Sequence, residues 1–417
     1  MHLLDDEGRV IVLRGASVGE DAKFAANYGS AVRAPELRRM RDELGMNAVR
    51  MLTFWEAVEP SCGDYDDGYI ARFVERVREA RRLGLEVVVD FHQDLFGAGF
   101  GMAGAPHWAA PDDFYRRARR RRPWMAGYLE LGVMRAFDHF WRSEELKARY
   151  AAAVGRVVSE LAREGVCFYE LWNEPFWGTG TPYSLEREVL PSFYERVTAA
   201  VFAADPGTRV GLAGAVHTNI GMSTALAVRD RSRAVYAAHF YPPAVELGLR
   251  YDGDGARLGA HMDRTVADAT RLDMPLVVTE FGVHERTPGA MEFLRDTYEA
   301  LDARRQSAFL WQASPHSGHR FWNGAYEYNG LAEAVARPYP TNVAGEPIAW
   351  TWNRTAGVFE CTYRSASRGR TSFALPCLAF PAGAQVFLDG NVFAEPGPRL
   401  TIEESEAKTR HVRVERI

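Results

Sequence analysis

The sequence has few cysteines, no excess of basic residues and no long apolar run. Its four cysteines include no C-x-x-C pair that would suggest a metal site, and Cys361 and Cys377 are better explained as buried thiols than as a disulfide. The net charge is −5, which argues against nucleic-acid binding because that function needs a basic surface. No stretch has the roughly 18 apolar residues that a membrane-spanning helix requires. With 47% hydrophobic and 25% charged residues, the composition is that of a globular protein.

The first residues are unlike a secretory signal peptide. Asp5, Asp6 and Glu7 place acids where such a peptide carries basic residues, and no apolar core follows them. We therefore expect a soluble protein, cytoplasmic as the chain stands and secreted if a leader has been trimmed.

Strand-like and helix-like segments alternate through the first 340 residues. Apolar residues at helical spacing separate most of eight β-branched or apolar runs, which we predict as strands. These runs are 10–18, 48–55, 86–90, 167–172, 209–215, 234–241, 276–279 and 307–312. Repeated strand–helix units with apolar strands indicate a parallel sheet. Because the sequence has no G-x-G-x-x-G after the first strand and no P-loop, we expect a (β/α)8 TIM barrel rather than an open doubly wound sheet.

The sequence changes in character near residue 341. Short alternating segments at 358–363, 372–378, 385–388, 400–402 and 411–414 are separated by Gly, Pro and Asp-Gly turns, with no long helical pattern. We predict a barrel over residues 1–340 and a small C-terminal β-sandwich-like domain over residues 341–417, for which a structural role is expected.

Two glutamates stand where apolar strands end. Glu174 follows the fourth predicted strand and Glu280 follows the seventh. In a (β/α)8 barrel the carboxyl ends of the strands form the mouth where active sites lie. One such glutamate alone would be an ordinary loop residue, but two that face each other are the pair that glycoside hydrolysis requires. One of them must carry a proton at the working pH and the other must not.

Other polar and aromatic residues also stand at strand ends. Each alone has a structural explanation, such as an internal ion pair for Arg50, a core histidine for His239 or core packing for Trp311. Together, at five strand ends, they favour a catalytic site, because a donor beside a carboxylate keeps it ionised. The set consists of Arg50, His92, Gln93, Asp94, His239, Tyr241 and Trp311.

Longer stretches accompany this set. They include Asn173-Glu174-Pro175, Gly45-Met46-Asn47-Ala48-Val49-Arg50, Asp90-Phe91-His92-Gln93-Asp94, Gly104-Ala105-Pro106-His107-Trp108, Gly132-Val133-Met134-Arg135-Ala136-Phe137 and Arg337-Pro338-Tyr339-Pro340. These motifs resemble glycoside hydrolase family 5, a retaining (β/α)8 family, and within it the endoglycoceramidases. The likeness extends over nearly the whole chain, including the C-terminal β domain.

The resemblance implies a role for each position. Glu174 would be the acid/base and Glu280 the nucleophile of a retaining β-glycosidase that cuts between an oligosaccharide and ceramide, without a metal or other cofactor. Tyr241 and Arg50 would orient Glu280, with His239 beside them. The residues that bind the sugar would be Lys23, His92, Asp94 and Asn173, with Trp311 stacked under the ring.

Some stretches depart from the family pattern. Phe176-Trp177 is bulkier than expected after Pro175, and the loop 96–102 looks short. The aromatic residues of these two stretches either line a channel for acyl chains or cap the barrel. The loop with His316, His319 and Trp322 is unassigned, so the length of the accepted glycan stays open.

Three other functions remain open. The first is a glucosylceramidase or β-glucosidase that releases a single glucose. The second is an endo-β-glucanase or mannanase, for which no long aromatic groove is evident. The third is a non-catalytic glycolipid-binding module, against which the presence of both glutamates argues.

A run of six arginines lies within residues 116–122. Such a run is either a solvated insert or a site of transient contact with an anionic membrane surface, where each basic residue contributes about 1 kcal/mol.

Overall fold

The computed structural model describes residues 1–116, 118–119, 121, 123–394 and 397–417. Its strands form one closed parallel barrel and two antiparallel sheets. The strands are β1 (Val10–Ile11), β2 (Arg14–Val18), β3 (Ala48–Thr53), β4 (Glu86–Phe91), β5 (Phe168–Glu170), β6 (Val210–Leu212), β7 (Ala234–Phe240), β8 (Leu276–Phe281), β9 (Ser307–Leu310), β10 (Tyr339–Val343), β11 (Gly345–Asn353), β12 (Val358–Ser365), β13 (Gly369–Ala374), β14 (Ala384–Leu388), β15 (Asn391–Ala394), β16 (Arg399–Glu404) and β17 (Thr409–Arg416).

Helices connect most of the barrel strands. They are α1 (Ala34–Asp42), α2 (Trp55–Val58), α3 (Asp67–Arg82), α4 (Asp112–Tyr115), α5 (Leu131–Arg142), α6 (Glu144–Leu161), α7 (Pro182–Ser184), α8 (Leu190–Ala204), α9 (Pro243–Glu246), α10 (Gly255–Leu272), α11 (Ala290–Ala303) and α12 (Leu331–Val335). Helices α3, α6 and α10 start at capping side chains; Asp66, for example, accepts a hydrogen bond from the amide of Tyr69 at the start of α3. Their apolar faces then pack on the barrel, as Phe73 and Val77 of α3 do.

Strands β2 to β9 close the barrel in chain order, and every neighbouring pair is parallel. The predicted (β/α)8 barrel followed by a small antiparallel β domain is therefore confirmed. Because all eight strands run the same way, their carboxyl ends meet at one mouth, where polar side chains from different strands come together.

The other end of the barrel is filled with apolar side chains. Val88, Phe168, Val235, Val277 and Phe309, one from each of five barrel strands, are fully buried and belong to one cluster. This apolar layer keeps water out of the end of the barrel that lies opposite the mouth. The charged side chains at the mouth consequently lie over a dry, low-dielectric floor, where their interactions are strong.

The antiparallel sheets have the orders β1-β10-β13-β16 and β11-β12-β17-β14-β15. Side chains from both sheets, among them Tyr339, Trp350, Phe359, Phe373 and Val414, share one buried core, so the sheets pack face to face. The Tyr339 hydroxyl donates to the carbonyl of Gly45 at 2.9 Å, which ties this sandwich to the outside of the barrel.

Three sequence expectations need correction. Residues 10–18 are not one strand, because Val10 pairs with Val343 in the C-terminal sheet and only β2 enters the barrel. The buried thiol predicted for Cys377 is exposed, whereas Cys361 is buried and both are free. Helices α5 and α10 and strand β11 lie in segments where the sequence pattern predicts no helix or strand.

In the described part of the chain, none of the helices combines the length and the apolar character needed to cross a membrane. Of the arginine run, Arg117, Arg120 and Arg122 lie outside the described residues.

Candidate active site

A cavity of about 450 Å³ opens at the carboxyl ends of the barrel strands. Residues at or just after the carboxyl ends of seven of the eight strands line it, including both glutamates singled out from the sequence. The lining residues are Glu20, Lys23, Phe24, His92, Asp94, Met102, Trp124, Met125, Tyr128, Glu174, Val216, Asn219, Ile220, Tyr241, Glu246, Glu280, Trp311, Ser317 and His319.

Arg50, on the remaining strand β3, lies beneath this cavity and is fully buried. Its guanidinium lies 2.5 Å from a carboxylate oxygen of Glu170, 3.0 Å from one of Asp90 and 2.9 Å from one of Glu280. It also donates to Oδ1 of Asn173 at 3.0 Å. One buried arginine therefore organises three carboxylates, and its planar fork of donors suits this task where a lysine would not.

Glu280, at the end of β8, is held from two sides. The Tyr241 hydroxyl donates to Oε1 at 2.8 Å, while Arg50 donates to Oε2. Burial opposes ionisation of this side chain, but the positive charges of His239 and Arg50 outweigh burial and hold the pKa of Glu280 below its ordinary value. The carboxylate is therefore ionised and fixed in direction, which is what a nucleophile requires.

Glu174 lies on a sharp turn just after β5. Its backbone has φ of +44°, a left-handed conformation that is unusual for a residue other than glycine. Gln93 stabilises this turn by donating to the carbonyls of Asn173 and Glu174 at 2.8 and 3.1 Å. Tyr150 of α6 donates to the carbonyl of Leu171, which fixes the chain just before the turn.

The carboxylate of Glu174 has two neighbours in hydrogen-bond contact. Nδ1 of His239 lies 2.8 Å from Oε1, and Nδ2 of Asn219 donates to the same oxygen at 2.6 Å. The other ring nitrogen of His239 lies 3.9 Å from Glu280, so this imidazole stands between the two glutamates. His239, predicted beside Glu280, is in closer contact with Glu174.

The two carboxylates are close together. One oxygen of Glu174, one of Glu280 and a ring nitrogen of His239 all lie within 4.8 Å of one another. Carboxyl groups about 5–5.5 Å apart allow a covalent, retaining mechanism, whereas inverting enzymes keep about 6.5–9.5 Å for a water molecule. The spacing matches the retaining class. The same three atoms are also the group that would bind a metal ion, but the adjacent Arg50 already supplies the positive charge there.

A charged cluster lines the side of the cavity next to strands β2, β4 and β9. Lys23 contacts Asp94 at 2.5 Å and Glu20 at 2.7 Å, and His92 lies 3.3 Å from Asp94. Burial and Lys23 lower the pKa of His92, but Asp90 and Asp94 outweigh them and raise it to about 9. These groups offer many donors and acceptors to the hydroxyls of a sugar.

Trp311 supplies an aromatic surface beside this cluster. Its ring stacks on His92 with centroids 5.5 Å apart, and the Lys23 ammonium lies 4.5 Å from the ring centre.

Asn173 does not line the cavity itself. Among the described residues its Nδ2 donates only to the carbonyl of Gln93, at 3.0 Å, so its second hydrogen is available to a sugar hydroxyl. All ten predicted site residues thus lie in or directly beneath one cavity.

Several residues at the site were not singled out as site residues. Asn219 contacts Glu174 from the short turn Val216–Ile220, and Glu170 contacts Arg50 from inside the barrel. Asp90 appeared only as part of a motif, and Gln93 was named among the strand-end residues but given no role. A stricter search of every strand end for inward-facing carboxylates would have found Glu170, which is the last residue of β5.

The unassigned aromatic residues mostly cap the barrel. Phe96 and Phe176 are buried against Phe137 and do not line the cavity, whereas Met102 of the short loop does. In the loop after β9, Trp322 is buried in the core and His319 reaches the cavity.

Comparison with known proteins agrees with this geometry. The pattern of the family described as cellulase (glycosyl hydrolase family 5) matches residues 4–317, and that of the glycoside hydrolase family 5 C-terminal domain matches residues 337–415. Endoglycoceramidase I of Rhodococcus hoagii is 27% identical over 432 aligned residues, which cover 96% of this chain and 83% of that protein.

Solved structures of endo-glycoceramidase II from Rhodococcus sp. superpose over the full length. The ganglioside GM3 complex has 27% identity and a TM-score of 0.91, covering 100% of this chain and 99% of that one. The lactosyl-enzyme intermediate has 28% identity and a TM-score of 0.89, covering 100% of both chains. With both family patterns matched and the carboxylate pair in place, the chain belongs to glycoside hydrolase family 5 and is a retaining glycoside hydrolase.

Proposed function

We propose that this enzyme hydrolyses the β-glycosidic bond between the sugar headgroup and the ceramide of glycosphingolipids. The observation that carries the proposal is the position of the carboxylate pair in a cavity with two unlike sides. One side has the charged cluster of Lys23, His92 and Asp94, and the other includes apolar side chains such as Val216 and Ile220. A molecule with a polyhydroxylated headgroup and a lipid tail matches both sides.

The mechanism follows from the placement of the two carboxylates. Glu280, ionised and held by Arg50 and Tyr241, attacks the anomeric carbon while Glu174 protonates the departing oxygen. The bond between sugar and aglycone breaks as the bond to Glu280 forms. Glu174, now a carboxylate, takes a proton from water, and that water releases the sugar from Glu280 with net retention.

Relatives support the same assignment. Endo-glycoceramidase II from Rhodococcus sp. has been captured both with ganglioside GM3 and as a lactosyl-enzyme intermediate. At 28% identity over the whole chain, the covalent intermediate in that relative supports Glu280 as the nucleophile of this enzyme.

The products from lactosylceramide test the proposal. We expect lactose and ceramide, separated by thin-layer chromatography, because the cavity receives the headgroup as a whole. Release of glucose from glucosylceramide, with lactosylceramide left intact, would instead favour a glucosylceramidase. Inactivity on both substrates would favour a glycolipid-binding module.

We also propose transient contact between the cavity mouth and a lipid surface. Six large apolar side chains on the loops after β2, β4, β6 and β7 are exposed, and three of them line the cavity. This apolar rim consists of Phe24, Trp124, Ile220, Met222, Leu247 and Leu249. Exposed apolar patches of this kind mark interaction sites, and the three members that line the cavity place this one at the opening through which a membrane lipid would enter.

Replacement of rim leucines tests the contact. We expect the double variant Leu247→Ser/Leu249→Ser to bind phosphatidylcholine vesicles at least about tenfold more weakly in co-sedimentation, since a leucine that leaves water contributes roughly 1.5–3 kcal/mol. Ile348→Ser/Leu378→Ser, which changes exposed apolar residues of the C-terminal sandwich, is the matched control. Equal vesicle binding by both double variants would contradict a role for the rim.

A further inference from the structure

One of the five carboxyl groups that line the cavity has been given no role so far. Glu246 is the last residue of the short helix α9, its side chain is half-buried, and it lines the same cavity as Glu174 and Glu280. Within the described part of the chain, its carboxyl makes no side-chain hydrogen bond or ion pair. Its oxygens are not among the fully buried polar atoms, so they reach the cavity and are available to accept a hydrogen bond from a ligand there.

The backbone holds Glu246 in a defined place. Its amide donates to the carbonyl of Pro242 at 3.0 Å, and Val245 beside it is buried in the barrel core. The amide of Tyr241, just before this turn, donates to the carbonyl of Asn219 at 2.8 Å. The segment that carries Glu246 is therefore tied to the two residues that contact Glu280 and Glu174.

Glu246 belongs to the half of the mouth that faces away from the charged cluster. It follows the sixth barrel strand, β7, next to the β6 loop with Val216 and Ile220, whereas Lys23, Asp94 and Trp311 follow β2, β4 and β9. The next residue along the chain, Leu247, is 59% exposed and belongs to the apolar rim. A polar group that lines the cavity thus directly precedes a residue of the apolar rim along the chain.

The charge state of this carboxyl reflects that position. Burial raises the pKa of Glu246 to about 8, and the negative charges of Glu174 and Glu280 add to the rise. At neutral pH its oxygens accept hydrogen bonds without adding a full negative charge beside the nucleophile.

We propose that Glu246 is a specificity-determining residue that accepts a hydrogen bond from the amide N–H of the ceramide. The proposal rests on the proposed function and names the polar part of the aglycone that the site recognises. In a ceramide the amide nitrogen is on the carbon next to the one that bears the glycosidic oxygen. Glu246 lines the same cavity as Glu174, in the half that faces away from the charged cluster. It therefore offers an acceptor on the side of the cavity where this amide lies once the sugar is seated.

The test compares aglycones that have and lack the amide. We measure kcat/KM for lactosylceramide and for 4-nitrophenyl β-lactoside in the same detergent. In Glu246→Leu, which has a similar size but no acceptor, the ratio of the two constants falls at least about tenfold, the loss expected for one hydrogen bond to an ionisable group. Glu246→Gln keeps a carbonyl oxygen that can accept the hydrogen bond, so its ratio of kcat/KM for lactosylceramide to kcat/KM for the aryl lactoside stays close to the wild-type value.

A second substrate separates recognition from a structural role. Lactosylsphingosine has an ammonium group in place of the amide. This positive charge lowers the pKa of Glu246 in the complex and favours its ionised form, whereas a glutamine at this position cannot ionise. The kcat/KM for lactosylsphingosine relative to lactosylceramide therefore falls in Glu246→Gln, a change that altered folding would not produce. Glu299→Gln, an exposed glutamate on α11, is the control and keeps the wild-type ratios.

The outcomes are distinct. An unchanged ratio in Glu246→Leu overturns the assignment of Glu246 while leaving the proposed function intact. Failure of the wild-type enzyme to cleave lactosylceramide, with the aryl lactoside still hydrolysed, overturns the proposed function and this inference together.

Discussion

Glu280→Gln lowers kcat for an aryl β-lactoside by at least about 10⁴-fold, in the range seen when a covalent nucleophile is removed. Glutamine still accepts the hydrogen bond from Tyr241, so the side chain keeps its place, but its amide cannot form the glycosyl ester. The loss therefore falls on the chemical step rather than on substrate binding. Steady-state kinetics at saturating substrate, with KM compared between variants, measures this.

Two controls accompany the Glu280 variant. Glu299→Gln tests the same chemical change at an exposed position, and thermal unfolding of both variants shows that the fold is kept. Trapping with a 2-deoxy-2-fluoro β-lactoside followed by peptide mass spectrometry identifies the residue that carries the sugar. A label on any residue other than Glu280 would contradict the assignment.

The lowered pKa of Glu280 also sets the acid side of the pH profile. A nucleophile must be ionised, so activity is lost only as pH falls through this lowered value, which lies below the ordinary glutamate pKa of about 4.3. Tyr241→Phe removes a hydrogen bond that favours the carboxylate. The acid limb of kcat/KM in that variant therefore moves to higher pH, by about one unit.

Much of the barrel was predictable because its strands are apolar runs in a regular order. Helix α10 was not, since its buried face mixes Leu258 and Met262 with His261, Thr265 and Asp268, which weakens the helical pattern. Strand β1 was assigned to the barrel because it is continuous in apolar character with β2. Its true partner, β10, lies more than 300 residues away, and no local signal indicates such a pairing.

The positions of Glu174, Glu280 and Arg50 at the site were predictable because each stands on or directly after an apolar strand, where the barrel mouth must be. Asn219 was not, because the strand before it has only three residues and the turn that carries it folds back to Glu174. The sharing of Arg50 among Asp90, Glu170 and Glu280 depends on which side chains point inward. A β-bulge, such as the one between Ala238 and His239 in β7, obscures that alternation in the sequence.

Glu174→Ala distinguishes the two carboxylates. We expect kcat/KM for lactosylceramide to fall by at least about 10³-fold, because the ceramide alkoxide is a poor leaving group without a proton donor. With 2,4-dinitrophenyl β-lactoside, whose leaving group needs no proton, glycosylation of Glu280 proceeds and the slow step becomes hydrolysis of the glycosyl-enzyme. Measured kcat/KM values for the two substrates check this, because the variant should lose far more activity on lactosylceramide than on 2,4-dinitrophenyl β-lactoside.

The product formed with azide shows from which face the anomeric carbon is attacked in that slow step. Alanine leaves space beside the anomeric carbon where the Glu174 carboxylate stood, and an anion that needs no general base enters it. We expect azide to accelerate turnover of the activated substrate and to yield β-lactosyl azide, identified by NMR. Asn219→Ala is the matched control, since it removes a contact to Glu174 but keeps the carboxylate, and azide should leave its rate unchanged. An α-azide product would contradict the double displacement that carboxylates within 4.8 Å imply.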